Sequence, residues 1–161
     1  MDLLLRDKII FIAGSSQGLG FETAKQLLME KAIVIINGKN TAKLENAENK
    51  LSKIFSESVF SFQGDVTKPD FSENLYHFIN DKFGKLDVLV TNSGGPSPAP
   101  FEEISDESWY SAFELNFLSH VRLIRVLLPL LRQSNSASVL TITSYSVKQP
   151  IPNLVLSNAI R

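Results

Sequence analysis

Ile9-Ile10-Phe11-Ile12-Ala13-Gly14-Ser15-Ser16-Gln17-Gly18-Leu19-Gly20 decides how the rest of the chain is read. Its first four residues are branched or aromatic and apolar without interruption, the pattern of a strand buried on both faces in a parallel sheet. A glycine-punctuated turn follows. The spacing then becomes helical, with Leu19, Ala24, Leu27 and Leu28 expected on one side. Strand, tight turn and helix aim unpaired backbone N–H groups and the positive end of a helix at one point, which suits a phosphate. The bland reading is a loop of three glycines joining a strand to a helix.

The same alternation continues in both directions along the chain. Ile33–Ile36, Val59–Phe62, Leu86–Val90 and Val139–Thr143 read as further strands, separated by segments of helical period. Asn40 or Thr41 is expected to cap a helix whose core stripe is Leu44, Ala47, Leu51 and Ile54. Pro69 suits the start of the next helix, Leu75, Phe78, Ile79 and Phe83 its apolar face, and Gly84 its end. Ser105 is expected to cap a long helix with the stripe Trp109, Phe113, Phe117, Val121, Ile124, Leu128 and Leu131, which Pro129 should kink or shorten. Strands alternating with helices predict an α/β fold, a parallel sheet covered on both faces. The strands end in small or polar residues, Gly14, Asn37, Asp65, Asn92 and Ser144, and in such sheets ligands bind outside those ends.

Composition narrows the function. At 161 residues the chain is read as one domain, 1–161, able to bury a core. A net charge of −1 gives no reason to expect nucleic acid or an anionic membrane as partner. With no cysteine, thiolate chemistry, disulfides and sulfur-ligated metals are excluded. His77 and His120 lack ligand-like spacing, so no metal is expected. Leu3-Leu4-Leu5 is broken by charge before it forms a signal sequence, which makes the cytoplasm the expected location.

Gly14-x-x-x-Gly18-x-Gly20, Gly64-Asp65-Val66 and Asn92-Ser93-Gly94 together resemble the short-chain dehydrogenase/reductase family. The resemblance implies a doubly wound Rossmann-type sheet in which Gly14, Ser15, Ser16, Gly18, Leu19 and Gly20 hold a dinucleotide pyrophosphate. Gly38 stands where the family carries an acidic residue, and Lys39 follows. That implies NADP(H), with NAD(H) as the alternative, unless Lys39 is only a solvated turn cation. Asp65 and Val66 match the adenine-edge motif, or Asp65 forms an Asx turn. Asn92, Ser93 and Gly94 would flank the cofactor ribose. Asn116 matches the helix asparagine that supports a proton-relay water, or is a satisfied core amide.

The catalytic end departs from the pattern. Ser144 fits the family serine, but the Tyr-x-x-x-Lys positions are occupied by Ser157 and Arg161. A serine hydroxyl is shorter and a far weaker acid than a phenol, and losing a general acid typically costs about 10²–10⁴ in rate. Arg161 keeps the positive charge that would hold the ribose. Tyr145 and Lys148 are too close to the strand end, and wrongly spaced, to replace the pair. Relatives run further in sequence, so the chain is expected to lack the last strands and the substrate loop of the family. The resemblance implies an oxidoreductase acting on a small carbonyl or alcohol, closest to 3-oxoacyl-carrier-protein reductases, and a homo-oligomer, dimer or tetramer. The rival is a non-catalytic nucleotide-binding or regulatory subunit of the same fold.

Overall fold

A computed structural model of the chain describes residues 3–161. Five parallel strands form one sheet: β1 (Ile9–Ile12), β2 (Ile33–Gly38), β3 (Val59–Gln63), β4 (Val88–Thr91) and β5 (Ser138–Thr141). Their order is β3-β2-β1-β4-β5, every neighbouring pair parallel. From β1 the chain winds outward through β2 and β3, then returns to the other side of β1 for β4 and β5. The reversal leaves a crevice between the carboxyl ends of β1 and β4, the position at which doubly wound sheets take ligands.

The pleat sends alternate strand residues to opposite faces. Phe11, Ile35 and Leu89 pack beneath α3 (Phe71–Phe83) and α5 (Ser119–Leu131), meeting Leu75, Ile79, Leu123 and Leu127. Ile10, Ile12, Val34, Ile36 and Val90 pack beneath α1 (Gly18–Met29) and α2 (Thr41–Phe55), meeting Ala24, Leu28, Leu44 and Leu51. Both faces of the sheet are therefore covered at β1, β2 and β4, as continuous apolar strands require, whereas all four residues of the edge strand β5 are exposed. Asn40 caps α2 by accepting the Lys43 N–H at 2.9 Å, and Gly84 ends α3 in the left-handed conformation.

At the amino ends of the strands Asp87 is buried. It accepts from the Ile9 N–H at 2.9 Å and the Ser134 hydroxyl at 2.6 Å, and pairs with Lys85 at 3.0 Å. Burial alone would raise this carboxyl. The Ser134 hydroxyl, the Ile9 amide and Lys85 outweigh it and hold the group below the usual carboxylate range. One carboxylate so ties the start of β1 to the start of β4 and the residues following α5.

Several expected elements differ in detail. Leu19 and Ile54 are exposed rather than buried, since each falls at the margin of its helix's apolar stripe. α3 begins at Phe71, two residues past Pro69. β2 extends to Gly38 and β5 closes at Thr141, short of Thr143. The long helix after Ser105 is three pieces in line: α4 (Asp106–Phe113), a π-helical segment (Glu114–Leu118) and α5. Its buried face carries Ala112, Asn116, His120, Leu123, Leu127 and Leu130, whereas Phe113, Phe117 and Leu128 are exposed. Residues 109, 113, 117 and 121 are four apart, and a four-residue step on a 3.6-residue turn drifts around the helix. The buried face takes its four-residue steps, 112 to 116 to 120, across the π-helical turn and then alternates threes and fours through α5. Pro129 lies inside α5, which ends two residues later, at Leu131.

Candidate active site

A cavity of about 630 Å³ opens at the carboxyl ends of β1, β2 and β4, within the range of small-molecule sites. Its floor is the turn after β1. Gly18 has φ +62°, and no atom lies within 4 Å of where a side chain would begin. Gly20 is the opposite case: a Cβ would stand 2.6 Å from the Gly14 carbonyl oxygen and 2.8 Å from Ser15 Cα. Only glycine lets the first turn of α1 lie this close to the strand end.

All the expected cofactor residues except Ser15 line this cavity: Gly14, Ser16, Gly18, Leu19, Gly20, Lys39, Asp65, Val66, Asn92, Ser93 and Gly94. Ser15 is fully buried instead. Its hydroxyl donates to the Ile12 carbonyl at 2.7 Å and accepts the Asn37 N–H at 2.8 Å. Its backbone N–H donates to the Asn37 carbonyl at 2.7 Å. Ser15 therefore joins β1 to β2 and has no hydroxyl to offer a phosphate.

Asn37 is the hub of the turn. Its Oδ1 accepts the Gly14 N–H at 3.2 Å, while its Nδ2 donates to the Phe62 and Gly64 carbonyls at 2.9 and 3.2 Å. One buried amide fixes the glycine turn, the end of β2 and the end of β3 together. Asn92 does the same from β4, its Nδ2 reaching the Ala13 and Gly14 carbonyls at 3.2 and 3.1 Å.

Beyond β2 the cavity wall carries Ser16, Gly38, Lys39, Asn40 and Lys43. A Cβ on Gly38 would lie 2.8 Å from Ser16 Oγ, so an acidic side chain would need Ser16 to move. Asp65 forms the Asx turn: its Oδ1 accepts from the Thr67 N–H at 3.0 Å and the Thr67 hydroxyl at 2.8 Å. Burial would raise its carboxyl, but the two Thr67 bonds and the charges of Lys39 and Lys68 hold it below its ordinary value. Oδ2 has no hydrogen-bond partner among the described residues, so the turn leaves one oxygen to accept from a ligand.

Asn116 sits in the π-helical segment. In a regular helix the Ser119 N–H would meet the Leu115 carbonyl; here it reaches the Glu114 carbonyl. The Ser119 hydroxyl takes up the Leu115 carbonyl at 2.7 Å. Asn116 Nδ2 donates to Ser93 Oγ at 2.7 Å and the Gly94 carbonyl at 2.8 Å. Its Oδ1 is buried without a partner. Glu114 is held by Arg122 at 2.7 Å, and Arg122 also donates to the Thr67 carbonyl at 3.3 Å.

The serine cluster does not line the cavity. Ser144 Oγ accepts from the Ser146 N–H at 3.1 Å and the Ser146 hydroxyl at 2.9 Å. Ser146 Oγ is 3.0 Å from Ser157 Oγ. Arg161 donates to the Thr143 carbonyl at 2.8 Å, with its other terminal nitrogen against Gly95. Burial lowers the Arg161 guanidinium from its ordinary value. His120, one turn past Asn116, is buried with Nε2 unpartnered; burial first, and the Arg161 charge second, hold its imidazole below its ordinary value. The preceding loop is pinned by Asn158, whose amide exchanges two bonds with the Ile151 backbone, and by the Ala99 N–H donating to the Asn153 carbonyl. The Tyr145 hydroxyl donates to Gln149 at 2.8 Å on the surface, and Lys148 is exposed.

Asn37, Thr67, Lys43, His120 and Ser146 were not singled out as site residues from sequence. Asn37 had a signal, a polar residue ending an apolar strand. No sequence pattern marks the others. Among the described residues no group of acidic, histidine or cysteine side chains is placed to hold a metal, and no helix is long and apolar enough to cross a membrane.

The family model for short chain dehydrogenases matches residues 8–158. An uncharacterized oxidoreductase of Bacillus subtilis, YvrD, is 34% identical over 96% of this chain and 58% of its own length. Oxidoreductase BOA17 of Botryotinia fuckeliana is 32% identical over 91% of this chain and 53% of its own. The chain thus spans little more than half the length of these relatives. Among solved structures, an NADPH-bound short chain oxidoreductase of Pseudomonas aeruginosa, described as containing an atypical catalytic center, superposes with a TM-score of 0.91 at 27% identity, covering 97% of this chain and 62% of that one. L-sorbose reductase of Gluconobacter frateurii, complexed with NADPH and L-sorbose, gives 0.92 at 28% identity, covering 99% and 62%. Matched along nearly its whole length, the chain belongs to the short-chain dehydrogenase family.

Proposed function

We propose that residues 1–161 form one domain that binds NADP(H) and serves hydride transfer to or from a carbonyl or alcohol substrate. The observation that carries this reading is the bare backbone at Gly18, open above a turn that Gly20 packs against the strand end. NADP(H), when bound, supplies or accepts the hydride at its nicotinamide. Gly14, Ser16, Gly18, Leu19 and Gly20 bind the pyrophosphate, Lys39 the 2′-phosphate, and Asp65 and Val66 the adenine edge. Asn92, Ser93 and Gly94 flank the nicotinamide-side ribose.

Ser144 donates a hydrogen bond to the substrate oxygen and stabilises it, since both of its acceptor positions are already used by Ser146. Ser157 extends that hydroxyl chain. Arg161 brings positive charge to the ribose side, and Asn116 Oδ1, buried and unpartnered, holds a relay water. NADPH-bound relatives support NADP(H) over NAD(H). We further propose a cytoplasmic homo-oligomer, dimer or tetramer, and 3-oxoacyl thioesters as the first substrates to try. The test is NADPH titration followed by steady-state NADPH oxidation against a panel of ketones, 3-oxoacyl thioesters included. Binding with turnover is expected; failure to bind either pyridine nucleotide overturns the proposal.

A second reading, a nucleotide-binding subunit without catalysis, is favoured by Ser157 pointing to Ser146 rather than lining the cavity. Ser157→Tyr with Arg161→Lys separates the two. A large gain in turnover marks a degenerated enzyme, and no gain marks a binding role.

A further inference from the structure

We infer that Ser146, a residue outside the set just assigned, is the positioning residue that fixes Ser144 as a hydrogen-bond donor and wires it to Ser157. This rests on Ser144 being the hydroxyl that meets the substrate oxygen. A serine hydroxyl has one proton to give and two lone pairs to accept with. Ser144 Oγ accepts from both the backbone N–H and the hydroxyl of Ser146, at 3.1 and 2.9 Å. Its own proton is the only capacity left, so it can act only as a donor.

The direction of the chain follows. Ser146 commits its proton to Ser144, so within the Ser146–Ser157 pair, 3.0 Å apart, Ser157 must be the donor. Ser146 and Ser157 are 2% and 5% exposed, which removes water as a competing partner. Three hydroxyls then point one way, from Ser157 through Ser146 to Ser144. Two donors on one oxygen also stabilise negative charge on it, which makes the Ser144 proton easier to share with an oxygen gaining charge. Ser146 touches neither cofactor nor substrate; it acts through Ser144.

The chain has no cysteine, so Ser144→Cys introduces a single thiol whose ionisation reports the donors aimed at position 144. The pH dependence of iodoacetamide alkylation gives its pKa, with or without turnover. The introduced thiol is expected below the ordinary value of about 8.5. Adding Ser146→Ala should raise it by about one unit, slowing alkylation at pH 7 roughly tenfold, and Ser146→Thr should restore it. Circular dichroism and NADPH titration check that each variant is folded. Equal thiol pKa values with and without the Ser146 hydroxyl overturn the inference. Should the thiol variant not fold, the Ser146 hydroxyl proton of the unaltered chain is followed by NMR: slow exchange supports the wiring, and exchange at the solvent rate overturns it. A shifted thiol in a chain that oxidises no NADPH would retain the wiring and refute only the catalytic reading.

Discussion

Gly14 donates its backbone N–H to Asn37 Oδ1 at 3.2 Å, so the turn that faces the cavity is held by a side chain from the neighbouring strand. Asn37→Ala leaves that N–H and the Phe62 and Gly64 carbonyls without their partner in a buried place. The expected loss is about 2–4 kcal/mol of stability, since stranded polar groups carry their full desolvation cost. Urea unfolding measures it, and NADPH affinity should fall in parallel as the turn loosens. A variant as stable as the parent would show that Asn37 is not the hub.

Gly20→Ala places a methyl group 2.6 Å from the Gly14 carbonyl oxygen. Both sides of that contact are backbone, so α1 must move away from the turn. Overpacking of this kind costs about 1–3 kcal/mol. NADPH binding should weaken at least tenfold, by calorimetry, while Gly84→Ala, at a helix end remote from the cavity, should leave it unchanged.

Lys39 and Lys43 line the cavity beside Ser16, and Asp65 feels the Lys39 charge. Lys39→Ala should cost about 1.4 kcal/mol of NADPH binding, a tenfold change in Kd, and leave NADH binding within twofold. The difference should shrink as salt is raised. Equal losses for both nucleotides would remove Lys39 from the 2′-phosphate.

His120 sets a pH dependence. Burial and the nearby Arg161 charge depress its folded pKa, whereas in the unfolded chain it returns to about 6.5. The unfolded state then binds more protons, so this contribution is complete above that value and is lost as pH falls towards the lower folded pKa. The urea midpoint should drop between pH 7 and pH 5, and His120→Gln should flatten that part of the curve. An unaltered slope in the variant would assign the dependence to other groups.

The fold was legible because its signals are local. Apolar runs such as Ile9–Ile12 and Ile33–Ile36 and the glycine spacing 14, 18, 20 each follow from a few adjacent residues. The site was legible where backbone does the work and less so where side chains choose direction. Ser15 and Ser16 are the same residue side by side, yet one is buried between β1 and β2 and the other faces the cavity. Nothing in composition separates them. Asn37 gathers partners from positions 14, 62 and 64, which only the β3-β2-β1 order brings together. The helical stripe through Phe113 and Phe117 misled because those rings stack on each other at 5.1 Å, outside the core.

The surplus residue wound into Glu114–Leu118 is absorbed in one wide turn, so Ala112 before it and His120 and Leu123 after it share a buried face. Beyond the turn, leucines keep step with the sheet; within it, Asn116 grips the loop at Ser93 and Gly94. Excising one amino acid from this stretch would close the wide turn to a regular α turn and move Asn116 off its present position. The rod would survive, but its amide would face elsewhere, and the loop beside the cavity would lose its anchor.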